Sequence, residues 1–211
     1  VVLEDMQTGT RQPRAAPCGR GTRLRPRRWG VNRLIWFGMA VCSLLMAARA
    51  DAQVSREYQL KAVFLYHFAQ FTEWPTNAFA ATNSPIVIGI LGVDPFGSVL
   101  DSVVTNEVVN GRRIVVERFS RVEDIKTCHI LFIAASEARI LPRIIQALQD
   151  RPILTVSEIE ESATRRGVMV RMFTADNRIR LRVNLNAVSS AHLTLSSKLL
   201  RAAEVFPKED P

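Results

Sequence analysis

The sequence predicts an α/β fold: a three-layer sandwich, with a mixed sheet of about six strands flanked by helices and closed by a C-terminal antiparallel hairpin. Three observations carry this. Short β-branched apolar runs such as Ile86–Leu91 (IVIGIL) and His129–Ala135 (HILFIAA) read as strands buried on both faces. Between such runs lie stretches of helical spacing, for example Ile140, Leu141, Ile144, Ile145 and Leu148. After Gly167 the pattern changes. Val168–Phe173 and Arg178–Leu185 alternate apolar and polar residues around Thr174–Asn177, which predicts a hairpin.

The chain opens with a basic, then apolar, leader. Residues 1–52 contain nine of the 28 Lys and Arg residues and three of the 20 Asp and Glu residues. Arg20–Arg33 reads as a basic n-region and Leu34–Ala48 as an uncharged apolar segment. Ala48-Arg49-Ala50 and Ala50-Asp51-Ala52 are overlapping small-x-small cleavage sites. This is the pattern of a secretory signal peptide cleaved after Ala52, and its apolar part is short for a membrane span. It leaves residues 53–211 as one exported α/β domain. That remainder has 19 basic and 17 acidic residues, so the overall net charge of +8 belongs mostly to the leader. The folded part lacks the electrostatic footprint of a duplex binder, and no nucleic-acid partner is expected.

The first helix is predicted over Glu57–Pro75, with Leu60, Phe64, Phe68 and Phe71 on one face and Val63, Leu65 and Ala69 widening it. Pro75 ends it at Trp74. Strand Ile86–Leu91 follows, then a helix capped by Asp94 and running from Pro95 to about Val104. Asn110-Gly111 turns the chain into strand Arg112–Phe119, and Val122–Lys126 reads as a short helix. Strand His129–Ala135, helix Glu137–Gln149 and strand Ile153–Val156 come next. Ser157 is predicted to cap a helix through about Arg165, with Glu158, Glu160 and Glu161 in its first turn and Gly167 ending it. In the hairpin, Arg178, Arg180 and Arg182 share one face and Ile179, Leu181 and Val183 the other. A capped helix over Ser196–Val205 closes the fold.

Catalytic and metal-binding patterns are sparse. Gly89, Gly92 and Gly97 match neither a dinucleotide fingerprint nor a phosphate loop. His67, His129 and His192 lack zinc spacing. Once the leader is removed, Cys128 is the single cysteine, so an intramolecular disulfide is excluded. Cys128 reads as a buried inert thiol, with a redox or intermolecular thiol as the functional alternative. No cofactor is expected. Candidate contact residues for a partner or a second copy are Tyr66, His67 and Gln70, on the flank of the first helix, and the arginine stripe Arg178, Arg180 and Arg182, which suits an acidic surface or an anionic ligand.

The order and wording of the segments resemble the YfiR family of exported proteins. They run EYQLKAVFLYHFAQFTEWP, PIVIGILGVDPFG, NGRRIVVERFS, CHILFIA, PILTVSE and IRLRVNLNAVSSAHLTLSSKLL. The resemblance spans about Glu57 to Val205. Its specific residues are Tyr58, Lys61, Phe64, Phe71, Trp74 and Pro75 at the start and Asn184, Ser197, Leu199 and Leu200 at the end, with Gly89 and Gly92 in support. It implies a periplasmic, non-enzymatic regulator that binds and inhibits the sensor region of an inner-membrane diguanylate cyclase. Such a protein lowers cyclic di-GMP signalling and biofilm formation, and it forms a homodimer. Relatives use cysteine pairs as a redox-sensitive brace, which a lone Cys128 cannot form. Arg166-Gly167-Val168-Met169 stands where relatives have a double glycine. Two alternatives remain beside this reading. One is a periplasmic small-molecule binder with a crevice at the carboxyl ends of the strands. The other is an exported hydrolase using His67 or His129.

Overall fold

The computed structural model describes residues 56–160 and 167–206. The predicted leader and the later part of the helix expected after Ser157 lie outside these residues. Among them, an eight-stranded mixed sheet runs in the order β10-β8-β7-β6-β5-β2-β4-β3. Its strands are β2 (Ile86–Leu91), β3 (Val108–Val109), β4 (Arg112–Phe119), β5 (Ile130–Ile133), β6 (Leu154–Ser157), β7 (Val170–Ala175), β8 (Arg178–Asn184) and β10 (Glu204–Phe206). A separate antiparallel pair joins β1 (Thr72–Glu73) to β9 (Thr194–Leu195). The helices are α1 (56–71), α2 (Ser98–Val104), α3 (Leu141–Ala147), α4 (Leu185–Ser190) and α5 (Ser197–Arg201).

Strands β4, β2, β5, β6 and β7 are parallel neighbours, and β8 returns antiparallel to β7. Because side chains alternate across a strand, β2 sends Ile86, Ile88 and Ile90 to one core and Leu91 to the other. The first core holds Leu65 and Phe68 of α1, Leu100 of α2, Val188 of α4 and Leu199 of α5. The second holds Leu141 and Ile144 of α3 with Leu131, Ile133 and Cys128. These are the two interfaces of the expected three-layer sandwich.

Several boundaries differ from expectation. The sheet has eight strands where six were expected, because Val108–Val109 and Glu204–Phe206 also pair. Val205 therefore lies in a strand parallel to β8, and the closing helix stops at Arg201. Asp94 does not open a helix at Pro95. Its carboxylate accepts the amides of Phe96 (2.7 Å) and Gly97 (3.2 Å), folding a turn that delays α2 until Ser98. The helix expected over Glu137–Gln149 is split. A 3-10 turn spans Ala135–Glu137, and α3 begins at Leu141 with Pro142 in its first turn, where a missing N–H costs nothing. Ser157 ends β6, its hydroxyl donating to the Ile133 carbonyl at 2.9 Å and accepting the Ile159 amide at 3.2 Å. The strand expected to reach Leu185 ends at Asn184, whose side chain caps α4 by accepting from the Ala187 amide at 3.1 Å.

Helix α1 buries a face one residue round from the predicted one. Lys61, Ala62, Leu65, Phe68 and Ala69 are buried, whereas Leu60 is 50% exposed and Phe64 and Phe71 are half-buried. The hairpin turn is tighter than the four residues predicted. It consists of Asp176 and Asn177 with φ of 51° and 61°, the left-handed pair that matches strand twist.

Candidate functional site

The amino end of α1 meets the carboxyl end of β6 in a polar cluster. Tyr58 and Lys61 lie one turn apart on α1 and reach the same carboxylate, Glu158, just beyond β6. The Tyr58 hydroxyl donates to Glu158 at 3.1 Å, and Lys61 Nζ lies 2.5 Å from Glu158 Oε2 and 2.7 Å from Glu57 Oε1. Glu57 also accepts the Thr174 hydroxyl of β7 at 2.9 Å. Phe96 seals the cluster from below, its ring edge-on to Tyr58 at 5.5 Å and to Phe132 at 4.8 Å. Burial, reinforced by Glu158, raises the Tyr58 hydroxyl to about 12, so it stays a donor. The hydrogen bond from Lys61 holds Glu57 below the usual carboxylate range. Glu158 was expected in the first turn of a helix; here it ties α1 to the sheet. The predicted face of α1 left Lys61 outside the core; its burial, which only the fold shows, demands such a carboxylate partner.

The outer flank of α1 carries a second network. Tyr66 donates to Glu107 at 2.7 Å and accepts from Gln70 Nε2 at 2.8 Å. His67 Nδ1 lies 3.0 Å from Gln70 Oε1, and its ring stacks on Phe71 at 5.9 Å. The hydrogen bond to Glu107 raises the Tyr66 hydroxyl above its ordinary value. Tyr66, His67 and Gln70 thus form one connected patch beside the exposed Leu60 and Val63.

The arginine stripe lies on the opposite side of the sheet. Val170, Met172, Leu181 and Val183 point into the α1 core, so Arg171, Phe173, Arg180 and Arg182 occupy the other face. Cross-strand register sets Arg171 beside Arg182, Phe173 beside Arg180 and Ala175 beside Arg178. The Arg171 and Arg182 guanidiniums lie 4.8 and 5.4 Å from the Phe173 ring centroid. Arg182 pairs with Glu204 at 2.8 Å, while Arg178 and Arg180 are exposed, Arg180 with only a 3.9 Å contact to Asp176. The fold does not bring the α1 patch and the arginines together.

His129 and Cys128 are interior. The Val87 amide donates to His129 Nδ1 at 3.0 Å, so Nε2 carries the proton of the neutral ring. The imidazole stacks on Phe79 at 4.4 Å and meets Trp74 edge-on at 6.0 Å, while the Trp74 indole donates to the His129 carbonyl at 3.2 Å. Burial, then the nearby Arg112 charge, lowers the His129 pKa against the opposing effect of the Ala78 carbonyl. Cys128 is 7% exposed, directs its thiol at the Ile130 carbonyl (3.1 Å), and is pushed up to about 12 by burial. That environment opposes the thiolate which redox or intermolecular chemistry would require. Gly89 is the flat place beneath it, since a Cβ there would lie 2.8 Å from both Cys128 Sγ and the Phe119 ring.

A groove of about 470 Å³ opens where β6 and β7 diverge, walled by Ile145, Leu148, Thr155, Met169, Ala187 and Ala191. It lies at the amino end of β6, not the carboxyl end expected for a crevice. No group of His, Cys, Asp and Glu able to hold a metal ion occurs among the described residues. No helix among them is long and apolar enough to cross a membrane.

The fold and these sites define a class, an α/β domain whose conspicuous polar groups build joints and surfaces. The chain belongs to the YfiR/HmsC-like family, whose pattern matches residues 58–204. No curated protein matches it. The family is a regulatory one and points to periplasmic control of diguanylate cyclase signalling. Five of the residues that carried the sequence resemblance are joints: Tyr58 and Lys61 at Glu158, Trp74 at His129, Gly89 under Cys128, and Asn184 capping α4.

Proposed function

We propose that this protein is a periplasmic regulator that binds and inhibits the sensor region of an inner-membrane diguanylate cyclase, lowering cyclic di-GMP signalling and restraining biofilm formation. The family match over residues 58–204, nearly the whole described fold, carries this reading. In it, residues 1–52 are a leader cleaved near Ala52, and residues 53–211 act in the periplasm as a homodimer. The protein acts by binding and catalyses no reaction. Contact with the cyclase or the second copy falls to the Tyr66, His67 and Gln70 patch and to Arg178, Arg180 and Arg182. Exporting the full chain in a host that carries a membrane diguanylate cyclase, with cyclic di-GMP measured in extracts, tests it. Lower cyclic di-GMP together with co-purification of the cyclase is expected. Unchanged levels and no retained cyclase would remove the proposal. Replacing Tyr66 and His67 with alanine, and separately Arg178 and Arg180 with glutamate, assigns the two surfaces.

A second reading, small-molecule binding, is favoured by one observation, the groove of about 470 Å³ between α3 and α4, a size that suits a small ligand. A metabolite that binds there raises the melting temperature, and Ala187→Trp, which fills the groove, abolishes the shift. A metabolite library that leaves the melting temperature unmoved throughout argues against it.

A further inference from the structure

We infer that the free edge of β4 is a docking site for an extended polypeptide strand that places a basic residue opposite Glu117. Strand β4 has eight residues, but its outer neighbour β3 has two and pairs only with Arg112 and Arg113. The Ile114 amide still reaches the Glu107 carbonyl at 3.3 Å, and there the chain leaves the edge as the Glu107 carboxylate turns to Tyr66. On its inner side β4 is paired with β2 from Ile114 through Phe119. Beyond Ile114, no strand among the described residues pairs with the outer side.

Backbone groups of successive strand residues point to opposite sides. The Ile114 amide points outward, to Glu107, and the Phe119 carbonyl points inward, accepting from Gly92 at 3.1 Å. Val116 and Arg118 therefore turn their N–H and C=O groups outward. The edge is held rigidly. The Arg118 guanidinium is tied to Asp94 at 2.8 Å, the Gly97 carbonyl at 2.8 Å and Asp101 at 2.5 Å. Donors and acceptors two residues apart, roughly 6.6 Å along the strand, match an extended backbone and little else.

The side chains select the occupant. A second copy is disfavoured. Antiparallel self-pairing centred on Val116 would set the copy's Phe119 opposite Arg113, a slot that Val108 already fills. Centring one residue further on sets Glu117 against its own copy, a like-charge pair. A different strand meets neither obstacle. Val115, Glu117 and Phe119 share one face, and Glu117 has no ion-pair partner among the described residues. The complementary strand reads apolar-x-basic-x-apolar. This rests on the reading of the chain as a binding regulator, whose partner would supply the strand.

The test uses the exported protein, labelled with nitrogen-15, and two synthetic peptides with cores Val-Thr-Lys-Thr-Val and Val-Thr-Glu-Thr-Val. The lysine peptide is expected to shift the Val116 and Arg118 amides and to bind about two- to five-fold tighter than the glutamate peptide. Glu117→Lys is expected to reverse that preference. Val116→Pro, which removes an outward N–H, is expected to abolish both without lowering the melting temperature by more than a few degrees, roughly as edge strands tolerate proline. Silence of both peptides, or a preference that Glu117→Lys leaves unchanged, overturns the inference. If Glu117→Lys binds neither peptide yet still lowers cyclic di-GMP, the edge is not the docking site and the regulator reading stands. If the unaltered protein binds the lysine peptide but never lowers cyclic di-GMP, the edge stands and the regulator reading fails.

Discussion

Lys61 Nζ lies 2.5 Å from Glu158 Oε2, a contact across 97 residues that fastens α1 to the carboxyl end of the sheet. Lys61 is 3% exposed, so the pair is held away from water. Breaking such a pair from one side costs more than forming it gains, because the remaining charge stays buried.

Lys61→Ala is therefore expected to destabilise the fold by about 3–5 kcal/mol, read by urea unfolding. Lys61→Met with Glu158→Leu removes both charges and is expected to recover most of that loss. A double variant no more stable than Lys61→Ala would show that the loss comes from the ion pair and its links to Glu57 and Tyr58, since methionine keeps the packing of the lysine stem.

His129 gives the pH dependence. Its folded-state pKa is lowered, so its contribution to stability is fully present above the unfolded value of about 6.5. That contribution is lost as pH falls through the folded value, because the unfolded chain takes up the proton first. Melting temperature is expected to decline from about pH 6.5 downward. His129→Asn keeps an acceptor for the Val87 amide and is expected to flatten that part of the profile. An unchanged slope would place the acid sensitivity elsewhere, with Glu57 the next candidate at lower pH.

Gly89→Ala puts a methyl group 2.8 Å from Cys128 Sγ and from the Phe119 ring. Overpacking of this kind costs about 1–3 kcal/mol. Cys128→Ala in the same chain removes one of the two closest contacts and should restore part of the stability. Equal stability of the single and double variants would show that Phe119, with Leu131 at 3.0 Å, sets the cost.

Alkylation of Cys128 by iodoacetamide is expected to be slow at pH 8 and to accelerate sharply in denaturant. The thiol is buried and raised to about 12, so little thiolate exists in the folded state. Rapid native-state labelling would show that the second core opens readily at the amino end of β5.

Much of this protein is legible in its sequence. Ile86–Leu91 and Arg112–Phe119 have the predicted limits, the first because it is a buried β-branched run between Pro85 and Gly92, the second because the Asn110-Gly111 turn sets its start. The hairpin and its arginine face follow from alternation alone. Boundaries slipped where a side chain competes locally with the backbone, as at Asp94, Pro142 and Asn184. The two extra strands escaped because Val108–Val109 and Glu204–Phe206 are too short to show a period.

The sequence by itself determined the α/β class, the strand faces and the family, since these depend on local periodicity and on the order of segments. Tertiary structure alone decided that Glu158 is the partner of Lys61, that Cys128 is sealed over Gly89, and that β4 keeps an open edge. Each of these depends on which distant segments the sheet order makes neighbours, and burial then sets what their charges and backbone groups can do.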